Sequence, residues 1–126
     1  MKSRSACLLL LLFVTGCGSQ LPEEFTVSGK PIEYWLDAQS ASQPEARARA
    51  IRALGNVDPS IPEVIPAMEK GLTDSDPSIR SQAALALLKF GPAAIDAVPA
   101  LTQATADRDE QVRNLAAKAL QQIQGK

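Results

Sequence analysis

Apolar residues along this chain recur at helical spacing, and the helical blocks themselves recur every 33 residues. Ala50, Ile51, Ala53 and Leu54 follow Arg47. Ala83, Ala84, Ala86 and Leu87 follow Arg80, and Ala116, Ala117, Ala119 and Leu120 follow Arg113, each arginine 33 residues after the last. Positions three and four apart share one face of a helix. A fixed period of this length means that each unit is one supersecondary element that buries its apolar face on its neighbours, which predicts a solenoid. A second series runs between the first: Ile32 and Trp35 stand 33 residues before Ile65 and Met68, which stand 33 before Val98 and Leu101. The pattern predicts a cap helix at 31–39 and a first pair at 44–55 and 61–72. A second pair follows at 77–90 and 93–105, and a lone last helix at 109–124. Helices joined by short turns, with no strand signal, make the fold class all-α.

Local chemistry supports these boundaries. Asp76-Pro77 places a capping carboxylate before a proline at the first helical position. Asp109 is placed to cap the last helix, with Glu110 favourable to its dipole. Gly55 and Gly91 fall where the first helix of each pair must turn into the second. Pro66 and Pro99 conflict with this plan, since a mid-helix proline costs about 3 kcal/mol. Their 33-residue spacing makes them part of the repeat, starting or bending the second helix after an irregular turn at 61–65 and 94–98.

The first residues do not share the pattern. Lys2 and Arg4 precede an uncharged apolar run from Leu8 to Val14, shorter than the roughly 20 residues of a spanning helix. Such a run fits the h-region of a secretory signal. Val14-Thr15-Gly16-Cys17 then resembles the lipobox of bacterial lipoproteins. The resemblance implies diacylglyceryl transfer to the Cys17 thiol, cleavage before it, and acylation of the new amino terminus. The plainer alternative is an ordinary signal cut after Gly16, with Cys17 a bystander. The expected domains are a signal peptide at 1–16, a lipidated tether at 17–30 and a repeat domain at 31–126. Gly18 stands where an aspartate would signal inner-membrane retention, so by analogy the outer membrane is the preferred address in the cell envelope.

Composition narrows the chemistry. Loss of Lys2 and Arg4 from the 13 basic residues leaves 11 against 14 acidic ones. This mild acidity speaks against a nucleic-acid partner, for which a basic stripe is expected. The sequence contains 0 histidines, and Cys7 would leave with the signal, which removes the commonest general base, metal ligands and thiol chemistry. Asp74-Ser75-Asp76 has the first two ligands of a calcium loop, but Pro77 follows and a capping role fits better. No catalytic, cofactor-binding or metal residues are assigned, no cofactor is expected, and the chain reads as a non-enzyme.

Asp76-Pro77-Ser78-Ile79-Arg80 with Ala83-Ala84 and Ala86-Leu87 resembles HEAT repeats, in particular the short phycobilin-lyase-type subclass. Val98-Pro99-Ala100-Leu101 resembles that family's second helix. The resemblance covers Pro31 to Ile123, and is weaker in the first unit, where Gln43 replaces the usual aspartate. It implies a right-handed α-α superhelix of about two and a half repeats plus the N-terminal cap helix. It also implies a ladder of aspartates and arginines between repeats: Asp74 or Asp76 with Arg80, Asp107 or Asp109 with Arg113, and Arg47 without an acidic counterpart. The functional alternative is that these arginines bind an acidic ligand. Nothing in the sequence carries the subclass's bilin chemistry over.

The remaining candidates lie on the surface. Trp35 aligns with Met68 and Leu101 and is expected in the core, leaving its neighbour Tyr34 outward as a possible contact anchor. Glu63, Glu69, Lys70, Asp96 and Gln103 could line a mixed-charge face. Val112, Leu115, Leu120 and Ile123 lie on a last helix without a following partner, which predicts a sticky end able to stack on a second copy or on another protein. The expected function is a membrane-anchored scaffold for protein–protein interaction. The alternatives are an accessory subunit of an envelope enzyme complex and a self-associating structural lipoprotein.

Overall fold

The computed structural model describes residues 26–125. Six helices follow one another: α1 (Ile32–Ala38), α2 (Pro44–Leu54), α3 (Val64–Gly71), α4 (Pro77–Phe90), α5 (Val98–Ala104) and α6 (Glu110–Gln124). A 3-10 segment, Gly91–Ala97, links α4 to α5. Helices α2, α4 and α6 form one row, with α2 against α4 and α4 against α6. Helices α1, α3 and α5 pack beside it, α1 on α2, α3 on α2 and α4, and α5 on α6. This is an all-α repeat fold.

The helix starts follow from the capping residues. Asp76 Oδ1 accepts the N–H of Ser78 at 2.8 Å, and Asp109 Oδ1 accepts that of Val112 at 3.0 Å. Gln43 precedes α2 with no side-chain cap, and there Pro44 alone marks the start. The conflict at Pro66 and Pro99 disappears because α3 begins at Val64 and α5 at Val98. Both prolines therefore sit in a first turn, where the backbone N–H has no intrahelical acceptor to lose.

Between the rows lies one continuous core. Ile51, Leu54, Val64, Met68, Ile79, Leu87, Leu101 and Val112 are fully buried. Each such side chain contributes about 1.5–3 kcal/mol relative to leaving it in water. Ala83, Ala84, Ala116 and Ala119 are as buried as the large residues, and their small side chains let the helices of the first row approach closely.

Gly91 turns the chain at φ 58°, ψ −137°, a backbone open to glycine and strained for other residues. The stretch Pro77–Ala104 is 28 residues long and apolar enough in composition to cross a membrane. The turn at Gly91 and the non-helical Ala94 (φ −92°, ψ 23°) split it into two helices that pack in the core. Gly55, expected to turn in the same way, keeps a right-handed φ of −69°. Its lack of a side chain instead admits Ala86, whose Cβ would lie 3.0 Å from a Cβ at this position.

Two expectations change at the amino-terminal side. Thr26–Val27 (β1) pairs antiparallel with Lys30–Pro31 (β2) in a short hairpin. Ser28 (φ 52°) and Gly29 (φ 75°) both take positive φ in its loop, the geometry whose twist matches paired strands. The indole N–H of Trp35 donates to the carbonyl of Val27 at 2.8 Å. From Thr26 onward the segment expected as tether is therefore tied to the helical domain. Trp35 is half-buried, because its ring serves the hairpin as well as the core.

Candidate functional site

The repeated arginines are held alike but not as expected. Arg80 Nε donates to Asp107 Oδ2 at 2.9 Å and its Nη2 to Asp107 Oδ1 at 3.0 Å. Its Nη1 reaches back to the carbonyls of Asp74 (2.8 Å) and Ser75 (3.2 Å). Arg47 repeats this one unit earlier, with Nε to Asp74 Oδ2 at 2.9 Å and Nη2 to Asp74 Oδ1 at 3.1 Å. Its Nη1 donates to the carbonyls of Ala41 (3.0 Å) and Ser42 (3.1 Å). Each arginine thus bonds forward to the aspartate 27 residues on and backward to the turn before its own helix.

This corrects three expected pairings. Arg47 has an acidic counterpart, Asp74. Asp76 and Asp109 are outside the ladder, because their carboxylates are committed to the N-termini of α4 and α6. Arg113 is the member without a carboxylate among the described residues, and its Nη1 donates to the carbonyl of Asp107 at 2.7 Å. A forked guanidinium that fills both oxygens of one carboxylate and two carbonyls leaves little donor capacity for a ligand. Arg80 is 5% exposed, so the fork also removes the cost of a buried unpaired charge.

Burial alone would raise the pKa of the Asp74 carboxyl. The hydrogen bond from Arg47, the N–H of Asp76 and the nearby guanidinium charges outweigh it, and the net direction is down. Asp107 behaves in the same way, with Arg80 and the N–H of Asp109 overcoming desolvation. Both carboxylates are therefore held ionised by the repeat they join.

The surface candidates do not converge on one place. Tyr34 is 49% exposed, and packs edge-on against Trp35 with ring centroids 5.0 Å apart. The Nζ of Lys30 lies over the Tyr34 ring, 5.5 Å from its centroid. Lys70 donates to Ser40 Oγ at 2.6 Å, which ties α3 to the turn after α1. Asp96 and Glu69 both line a cavity of about 220 Å³, together with Ile61, Ile65 and Pro66. Glu63 and Gln103 are exposed and do not line this cavity. Cys17, the expected lipidation residue, lies outside the described residues.

At the far end the expected apolar face is largely filled. Ile123 is 5% exposed and Val112 fully buried. Leu115 and Leu120 are half-buried against the same core. The inward face of α6 is covered by α4 and α5, so Ile123 is a core residue rather than a contact residue.

Sequence reasoning missed the opposite surface, the outward side of the α2–α4–α6 row. A cleft of about 350 Å³ runs there between α2 and α4, lined by Arg52, Asn56, Gln82, Leu85 and Lys89 over a floor of Ile51, Gly55 and Ala86. The signal was present as a second 33-residue register, Arg52, Leu85 and Lys118. It was hidden because an exposed leucine in an apolar helix reads as core.

Among the described residues, no group of three or more His, Cys, Asp or Glu side chains could hold a metal ion. The family model of HEAT repeats matches residues 32–121 of the chain, from α1 into α6. Among curated proteins, no significant match is found.

Proposed function

The chain belongs to the HEAT repeat family, and from that premise we propose that it is a protein–protein interaction scaffold held at a bacterial membrane through Cys17. HEAT repeats generally mediate protein–protein interaction, and the family is generally a non-catalytic scaffold. The observation that carries the reading is the arginine ladder. It spends the repeat's buried charges on joining one unit to the next, which fixes the helices as a continuous platform.

The anchor rests on the order of charge, apolar run, small residues and Cys17 in the sequence. Each buried methylene of an acyl chain contributes about 0.8 kcal/mol, so two or more chains hold a protein stably at a bilayer. The hairpin and its bond to Trp35 tie Thr26 to the helical domain, nine residues after Cys17 in the chain. Nine residues span at most about 32 Å, which supports a platform close to the membrane surface.

In-cell crosslinking of the wild-type protein beside a Cys17→Ser control tests both parts. One dominant protein partner, lost in the control, is the expected result. Crosslinks only between copies of this chain would replace the scaffold with a self-associating structural role. A partner unchanged by Cys17→Ser would remove the anchor from the reading.

A further inference from the structure

The outward side of the α2–α4–α6 row differs in charge from the rest of the molecule. Its cleft is lined by Arg52 from α2 and by Lys89 and Leu85 from α4, and Leu85 is 44% exposed although its neighbours Ala84 and Ala86 are buried. Arg49 joins Arg52 in a shallower depression beside Trp35, continuous with the cleft through Asn56. No carboxylate lines either space. Among the described residues, Arg49 and Arg52 form no ion pair. Lys89 donates to Asn56 Oδ1 at 3.1 Å, a neutral acceptor that positions its charge without cancelling it.

The helices of the other row carry Glu33, Asp37 and Glu69 against one cation, Lys70. A chain of net acidic character thus concentrates unpaired cations around its exposed leucine. An apolar wall beside cations matches a segment that presents an aliphatic side chain flanked by carboxylates. A flat lipid surface would touch the ridges and leave the cleft unfilled, and three cations give only about 1 kcal/mol each toward anionic lipid. A space of about 350 Å³ also takes a few side chains of one segment rather than the two-helix face of a second copy.

We propose that the cleft between α2 and α4 is the docking site for an acidic peptide segment of a partner protein, with Leu85 meeting its apolar anchor and Arg49, Arg52 and Lys89 its carboxylates. The proposal rests on the scaffold reading and assigns it a face and a class of partner.

The test uses the full chain in mild detergent and a fluorescein-labelled peptide of alternating glutamate and leucine, followed by anisotropy. Binding that weakens as salt rises is expected, with a loss of about tenfold in an Arg52→Glu, Lys89→Glu variant and a comparable loss in Leu85→Asp. All three side chains are exposed, and unchanged circular dichroism would confirm that the variants fold. The proposal is overturned if the acidic peptide does not bind, if the variants bind it equally well, or if a lysine–leucine peptide binds as tightly. It is also overturned if phosphatidylglycerol vesicles, or a second copy in sedimentation, engage these residues while the peptide does not. A photo-crosslinker at Glu69 that captures a partner in cells, beside one at Leu85 that captures none, would leave the scaffold standing and remove this site.

Discussion

Asp107 takes the Arg80 guanidinium on both of its oxygens while its Oδ1 also accepts the backbone N–H of Asp109 at 2.8 Å. One carboxylate thereby fixes the helix of one repeat, the turn of the next and the entry to α6. Asp107→Ala would strand a guanidinium that is 6% exposed in its side chain. A loss of about 3 kcal/mol is expected by thermal or urea unfolding. Asp109→Ala, which removes only a helix cap, should cost about 1 kcal/mol. Equal losses for the two would show that the ladder does not join the repeats energetically.

The same geometry sets the acid response. Asp74 and Asp107 are held below their ordinary pKa in the fold, so the stability they contribute is complete above the unfolded value of about 3.9 and disappears as pH falls through the lower folded value. Asp58, lowered by the N–H and hydroxyl of Ser60, adds in the same direction. Unfolding followed from pH 6 downward should show a steep loss of stability below about pH 4. An Asp74→Asn, Asp107→Asn variant should start less stable and lose less over that range. An identical acid slope in the variant would assign the pH dependence to other carboxylates.

Leu85 and Leu87 stand two residues apart in α4 with opposite environments, 44% exposed and fully buried. Leu87→Ala is expected to cost about 2–5 kcal/mol, the range for opening a cavity in a packed core. Leu85→Ala should fall within about 0.5 kcal/mol of wild type. Chemical denaturation of the two variants gives the comparison directly. A large loss at Leu85 would mean that its exposed face is covered in solution.

Gly91→Ala tests the turn that divides α4 from α5. At φ 58° a side chain is strained, and a loss of about 1–3 kcal/mol is expected. Circular dichroism should show unchanged helix content at low temperature and a lower melting temperature. A gain in helix would indicate that the two helices had fused.

Much of this fold was legible because its signals are local and recur. Asp76-Pro77, Asp109 and the alanines set the helix starts and the close packing, and the observed helices lie within a few residues of those expected. The ladder's direction was not legible. Arg80 lies six residues after Asp74 and 27 before Asp107, and only the superposition of turns in space decides between them. The hairpin at Thr26–Pro31 was hidden for a related reason. Strands of two residues leave no periodicity, and the indole bond that ties the hairpin to the domain goes to a backbone carbonyl, which any residue supplies. The repeat pattern alone predicts an exposed Ile123 on α6, whereas α4 and α5 already cover that side of the helix.

A forward-pointing arginine makes the fold a tiling with a built-in direction. Every join uses the same parts, a guanidinium from one unit and a carboxylate from the turn of the next, at the same 27-residue offset. A unit copied in register, such as 77–109, would carry both members of a pair, an Arg80 and an Asp107, at the same offset. The platform can therefore be lengthened without inventing a new interface. A chain carrying that duplication should melt cooperatively at a higher temperature than its parent, with the added surface laid down along the same axis.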